Sequence, residues 1–463
     1  MFSFPGAATA GLVVRLETMS SQPDAAFPGI TPPPASATLM VRTTRIDDLP
    51  EGPGALLALL PAEGALAWVR RGDGLAAWGE VARIETTGTA RFADAERAWS
   101  ALRSRAIVRD EVGLPGTGPV AFGSFAFDDS SAAGGTLVVP RVVVGRRGPV
   151  SWITTLSTVE AVPTLGPAPT LDTVRVDDAA VASPGTVTYS PGAVGDDEWT
   201  AAVEEAVTRI RAGRLDKVVM ARDVVARTER PIDVRWLLGR LADEYATCWT
   251  FCVDGMVGAT PELLVRSEKG LVTSRVLAGT IRRTGGEEAD LARAAVLAHS
   301  SKDLEEHEYA VASVAEALQP FCQSLNVPET PFVLHLPNVL HLASDVTGVL
   351  CTTTGTGHAP SSLSLAEALH PTAAVCGTPT AAANDLIREI EGLDRARYAG
   401  PVGWLGGDGD GEWGIALRSG ALDPQDPHRI RLFAGCGVVA ASEPGAELAE
   451  TEAKLEPMRH ALG

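Results

Sequence analysis

From Leu39 onward the chain alternates apolar and polar residues in short runs, the period-2 signature of half-buried strands. The pattern predicts strands over 39–44, 65–70, 75–84, 120–127, 135–144 and 151–156, with one helix over 93–105. Between 163 and 192 Pro, Thr and Asp dominate, and the stretch reads as a connection. Beyond it Trp199, Val203, Val207 and Ile210 fall on one face of a helix over 196–212, with Asp196 or Asp197 placed to cap it. A strand opens at Lys217, followed by a helix over 236–245 and strands over 248–253, 263–267 and 272–277. Residues 289–318 read as one long helix or a broken pair. Strands over 332–336 and 344–350, helices over 363–369 and 381–390, several strands within 401–439 and a helix over 443–461 complete the chain. Many hairpin-linked strands, with helices in separate runs, predict an α+β fold of large, mostly antiparallel sheets flanked by helices. Residues 1–37, rich in Pro, Ala, Ser and Gly, read as a disordered leader. The rest, 38–463, reads as a single domain, with a variable N-terminal half over 38–190 and the chemistry-bearing half over 195–460.

Composition narrows the function. The net charge is −19 and no basic block is present, so nucleic acid and anionic membrane are excluded as expected partners. The six cysteines are scattered without a CxxC pair, and read as buried free thiols suited to a reducing cytoplasm. No run of about 18 apolar residues offers a membrane span.

Lysine is scarce. Only Lys217, Lys269, Lys302 and Lys454 occur, and every other basic residue of the 39 is arginine. Lysine can give up its proton and act as a base, which arginine cannot. Lys217 therefore reads either as a solvated strand-end lysine or as a general base.

Two stretches set acids three apart on a helix face: Asp303 with Glu306, and Glu447 with Glu450, the latter four residues before Lys454. Such acids are solvated ion-pairing residues or ligands for Mg²⁺, which takes oxygen donors. Glu262, between a proline and an apolar strand, is a strand-edge acid or a buried one with a raised pKa, fit to donate a proton. His370 stands at a helix end before a Gly/Pro turn. Gly435-Cys-Gly437 offers backbone N–H groups to an anion, and Arg418 ends a strand where it could grip a carboxylate. The acidic run Gly407–Glu412 reads as a hairpin turn, because its calcium-loop pattern is incomplete.

Nine segments, in order, resemble the chorismate-utilising enzymes, the family of isochorismate, salicylate, anthranilate and aminodeoxychorismate synthases. They are Lys217–Arg222, Ala259-Thr-Pro-Glu-Leu-Leu264, Leu277-Ala-Gly-Thr280, Lys302-Asp-Leu-Glu-Glu-His307, His370–Pro379, Tyr398-Ala-Gly-Pro-Val-Gly-Trp404, Ile415-Ala-Leu-Arg418, Ala434-Gly-Cys-Gly-Val438 and Glu447-x-x-Glu-Thr-x-x-Lys454. The resemblance covers about 195–460, while 40–190 matches only in general pattern. It implies two sheet-and-helix subdomains, as in anthranilate synthase component I, with the site between them. It further implies Mg²⁺ on Glu306 and Glu450, with Asp303 and Glu447 supporting. Chorismate would lie against Gly279, Thr280, His370, Ala374, Tyr398, Arg418, Gly435, Gly437 and Lys454. Within the family a lysine at Lys217 goes with attack by water rather than ammonia, so no glutaminase subunit is expected. Glu262 is then the acid for the departing C4 hydroxyl. Salicylate synthases tend to carry a hydroxyl residue where this chain has Ala374. The expectation is a cytoplasmic, Mg²⁺-dependent isochorismate synthase, serving menaquinone or siderophore synthesis. A salicylate synthase and a non-catalytic chorismate binder are the alternatives.

Overall fold

A computed structural model of the chain describes residues 13–16, 38–159, 168–176, 180–351 and 359–463; of 13–16, Val159, Lys302 and Glu306 it describes the backbone alone. Most of the expected leader, and part of the expected connection, therefore lie outside the described residues. Within the leader stretch, Val13–Leu16 is a strand paired antiparallel with 82–85. Its valines suit a strand, and averaging composition over 37 positions hides them.

Two large sheets, of 11 and 13 strands among the described residues, make up the α+β fold. The strand alternation explains how they stack. In Leu66–Arg70, Leu66 and Trp68 enter the core between the sheets, while Ala67 and Val69 enter a second core behind the larger sheet. Leu75 and Ala77 face the first core and Ala76 and Trp78 the second in the same way. The second core is closed by the helices Val234–Glu244 and Pro444–Leu462, which supply Leu237, Leu241, Leu455 and Met458.

Two predicted strands are each two strands in different sheets. The run 75–84 divides into Asp73–Trp78 in the larger sheet and Ala82–Thr86 in the smaller, turning at Gly79 with φ +69°. The run 135–144 divides into Gly135–Val139 and Val142–Arg147 around Pro140. Apolar alternation continues through both crossings, so the pattern alone does not reveal them. The two sequence halves interleave in both sheets. Leu66–Arg70 pairs with Trp249–Val253, and Val120–Phe125 with Pro401–Gly406.

The helix Asp196–Arg211 buries Trp199, Val203, Val207 and Ile210, the predicted face. Its cap is Gly195 with no side-chain bond; Asp196 and Asp197 instead sit in the first turn, where their charge opposes the positive helix end. Trp199 Nε1 donates to Ala221 O at 2.9 Å and fastens this helix to the strand that begins at Lys217. The 289–318 region is a pair of helices, Glu287–Ala298 and Ser301–Leu318, broken where the Ser300 side chain accepts from the Asp303 amide. The Gly407–Glu412 run does turn a hairpin, between Pro401–Gly406 and Gly411–Ile415. All six cysteines are free thiols.

One buried ion pair steadies the strand Lys217–Thr228. Arg395 Nε donates to Glu391 Oε1 at 2.6 Å, and another guanidinium nitrogen donates to Val219 O at 2.6 Å. Glu391 in turn accepts from the Ala221 amide at 2.7 Å. Arg395→Met is expected to strand the Glu391 charge in the interior and to cost about 3–5 kcal/mol, read as a fall in the urea midpoint.

Candidate active site

The strand Lys217–Thr228 starts wedged between two neighbours: Lys217 pairs with Thr378, and Val218 with both Gly377 and Val438. Lys217 is thereby held between the Gly/Pro turn after His370 and the glycine-rich strand Arg429–Val438. The half-buried lysine lines a cavity of about 210 Å³ built from both sheets and two helices. Thirteen of the fifteen residues singled out in the sequence border this cavity: Lys217, Glu262, Gly279, Thr280, Asp303, Ala374, Tyr398, Arg418, Gly435, Gly437, Glu447, Glu450 and Lys454.

Glu262 reaches the cavity from the bend between Met256–Thr260 and Leu263–Glu268, where it is 5% exposed. Burial raises its carboxyl to about 8, against the pull of Lys217, Arg418 and Lys454. The acid therefore carries its proton at neutral pH.

Gly279 makes a bulge in the strand Leu271–Arg282, at φ +80°. A Cβ there would stand a tight 3.2 Å from that of Asp303, so a glycine at 279 eases the approach of the strand to the first turn of the helix Ser301–Leu318. His307 pins the same helix from inside, bonded to Ala278 O at 3.2 Å and Ser344 Oγ at 2.8 Å.

In an antiparallel ladder each residue turns its N–H and C=O to the same edge. Gly435 O accepts from Lys454 Nζ at 2.8 Å, away from the paired strand. The N–H groups of Gly435 and, two residues on, Gly437 therefore face the cavity. Lys454 also holds Glu450 Oε1 at 2.6 Å, so the ion pair expected of an ordinary helix is present. Burial would raise the Glu450 carboxyl, but Lys454, Arg418 and Lys217 together hold it low. Burial, then the Glu450 charge, raises the Glu447 carboxyl despite bonds from Ser442 and Cys436.

Arg418 sits at φ +49°, a left-handed conformation that costs an arginine about 1 kcal/mol or more. Its carbonyl is held by the Ala259 amide at 3.2 Å. Burial lowers its pKa, with Tyr398 the first group acting against this. Among the described residues no carboxylate forms an ion pair with Arg418, which leaves its charge available to an anion in the cavity.

Two expected site residues stand apart. His370 does not border the cavity. It packs edge-on against Phe127, its Nε2 donates to Phe127 O at 2.9 Å, and burial lowers it to about 4. It sits in an aromatic slot with Phe92 and Phe127. The side chain of Glu306 lies outside the described residues; its backbone is on the helix Ser301–Leu318.

His341 was not anticipated. It lines the cavity from the strand Val339–Leu350, pairs through Nδ1 with Thr280 Oγ1 at 2.9 Å, and is lowered to about 3, chiefly by burial. A lone histidine in an apolar run carries little signal, since burial and function read alike there.

Could these acids hold Mg²⁺? The donor set suits it: only carboxylates, on two helices that face one cavity. The raised Glu447 carboxyl beside a charged Glu450 also marks a place where positive charge is favoured. Among the described residues no three candidate ligands stand close enough to form a metal group, and the Glu306 carboxylate is not among them.

The family model for chorismate binding enzymes matches residues 66–463. The chain belongs to the chorismate-binding enzymes. It is 33% identical over 370 residues to isochorismate synthase MenF of Bacillus subtilis, covering 75% of each protein. It is 35% identical over 407 residues to the salicylate biosynthesis isochorismate synthase of Pseudomonas aeruginosa, covering 83% of this chain and 82% of that one. A solved structure from Bacillus anthracis, described as a 2,3-dihydroxybenzoate-specific isochorismate synthase, superposes with a TM-score of 0.70 at 32% identity, covering 88% of this chain and 98% of that one. The chorismate-binding fold thus extends over the N-terminal strands, where the sequence resemblance was only general. No helix among the described residues is long and apolar enough to cross a membrane.

Proposed function

We propose that this chain is an isochorismate synthase, an isomerase that moves the chorismate hydroxyl from C4 to C2. One observation carries the reading. Lys217 and Glu262, a base and a proton-bearing acid, border the same cavity as the uncommitted Arg418.

Arg418 and the Gly435 and Gly437 amides bind the pyruvyl carboxylate. Lys217 takes a proton from water as the water oxygen bonds to C2. The ring double bonds shift, the C4–O bond breaks, and Glu262 gives its proton to the departing hydroxyl, which leaves as water. One water enters and one leaves, so the reaction is an isomerisation and runs both ways. Glu306 and Glu450, with Asp303 and Glu447 beside them, would hold Mg²⁺, which when bound supplies positive charge to the ring carboxylate. Ala374 places no hydroxyl beside the product, in keeping with release of isochorismate rather than elimination of pyruvate.

Purified protein given chorismate and Mg²⁺ is expected to yield isochorismate in equilibrium with chorismate, with essentially no salicylate at neutral pH. Equal, turnover-linked release of salicylate and pyruvate would overturn this. Bound chorismate without any product would mark a non-catalytic binder. The pH profile gives a second test. Glu262 donates only while protonated, so on the basic side kcat/KM should fall tenfold per unit above about 8.

A further inference from the structure

Behind Glu262 lies a second, much smaller cavity, of about 10 Å³. It shares Glu262 and Ala374 with the large one. Two hydroxyl residues also line it. Ser274 is 2% exposed and Thr372 is 8% exposed. Thr372 Oγ1 is buried and has no hydrogen-bond partner among the described residues. The remaining wall is apolar, from Leu264, Val276, Ala310, Val314 and Ile415, apart from Arg275. The Arg275 guanidinium is committed to Asp345 through two bonds of 2.7 Å.

This volume is about that of one water, and a buried water needs two to four polar partners. Glu262, Thr372 and Ser274 supply three. We infer that the small cavity holds one water, anchored by Thr372 and Ser274, that hydrogen-bonds the Glu262 carboxyl from the side away from the substrate. Thr372 is then a positioning residue for the acid. The water engages one carboxyl oxygen and leaves the other to present its proton to the large cavity. As Glu262 becomes a carboxylate, the water donates to it and stabilises the charge that forms. No charged group takes this part. Lys217, Arg418 and Lys454 act on Glu262 from the large cavity, and Arg275 is neutralised by Asp345.

The inference rests on the isochorismate synthase reading, and the test separates the two. Full-length wild type, Thr372→Val, Thr372→Ser and Ser274→Ala are compared for isochorismate formation across pH. A hydrogen bond to a charged group is worth about tenfold or more. Thr372→Val, which keeps the shape and loses the hydroxyl, should lower kcat about tenfold or more at unchanged KM for chorismate. It should also move the basic limb of kcat/KM to higher pH, because the carboxylate has lost a donor. Thr372→Ser should restore both. Ser274→Ala should shift the limb in the same direction, and reads the network even if Thr372→Val does not fold. A Thr372→Val enzyme with wild-type kcat and pH limb overturns the inference. So does a Thr372→Ser enzyme as impaired as the valine variant, or a Ser274→Ala limb that does not move when Thr372→Val cannot be read. If the wild type forms no isochorismate, the functional reading itself has failed.

Discussion

Lys217→Arg is expected to be as inactive as Lys217→Ala, about 10²–10⁴-fold below wild type in kcat, the usual worth of a positioned base. Arginine preserves the positive charge at the start of the strand, and its length fits a half-buried position at the cavity wall. It cannot accept a proton from water. A role in charge alone would therefore survive the change, and a role in proton transfer would not. Glu262→Gln makes the matching case for the acid. The amide keeps the shape of the buried carboxyl and removes the proton it donates, so a loss of the same order is expected. Chorismate affinity, measured by calorimetry, should change little in all three variants, because Arg418 and the Gly435 and Gly437 amides remain. Near wild-type turnover in Lys217→Arg would remove the general-base assignment, and the meaning drawn from lysine scarcity would go with it.

The carboxylates of the two helices support an equally large effect. Glu450→Gln and Glu306→Gln are each expected to abolish measurable turnover while leaving the melting temperature within a few degrees of wild type. Excess EDTA should do the same to the wild type, with recovery on adding Mg²⁺. Mg²⁺ binding followed by calorimetry gives a readout independent of turnover. Glu450→Gln also frees Lys454 from its 2.6 Å pair, so a lost activity with Mg²⁺ affinity intact would assign Glu450 to holding Lys454 rather than the metal. Full wild-type activity in chelator would end the metal proposal.

Much of the cavity was legible because its residues sit in short strings whose chemistry is local. Glu262 follows a proline into an apolar strand, a setting that suits a buried acid or a strand-edge one. The Gly435–Gly437 pair offers backbone N–H groups to an anion, whereas Gly279 was reached only through the family resemblance. What remained hidden depended on contacts between distant segments. His341 gains its place only through Thr280 on a neighbouring strand. Arg395 and Glu391 look like loop residues, and become a buried clamp only because the chain passes beneath the Lys217 strand. His370 was placed beside the substrate by the resemblance alone. The aromatic slot that occupies it comes from Phe92 and Phe127, in the half of the sequence that carries no strong motif. The strands that cross between sheets were misread because alternation reports which face is buried, and not which sheet supplies the face.

The interleaving of early and late strands also governs the order in which the protein can be made. Leu66–Arg70 pairs early with Asp73–Trp78 but gains its second neighbour only when Trp249–Val253 has left the ribosome, and Val120–Phe125, paired with Gly135–Val139, waits for Pro401–Gly406. Neither sheet can close until most of the chain has been translated. During that interval several open edges face the solvent, able to pair with other chains. Contacts so distant in sequence also form slowly. Completion of the fold thus waits on its late strands, and chaperones that shield open edges should bind the nascent chain most strongly just before residue 401 emerges.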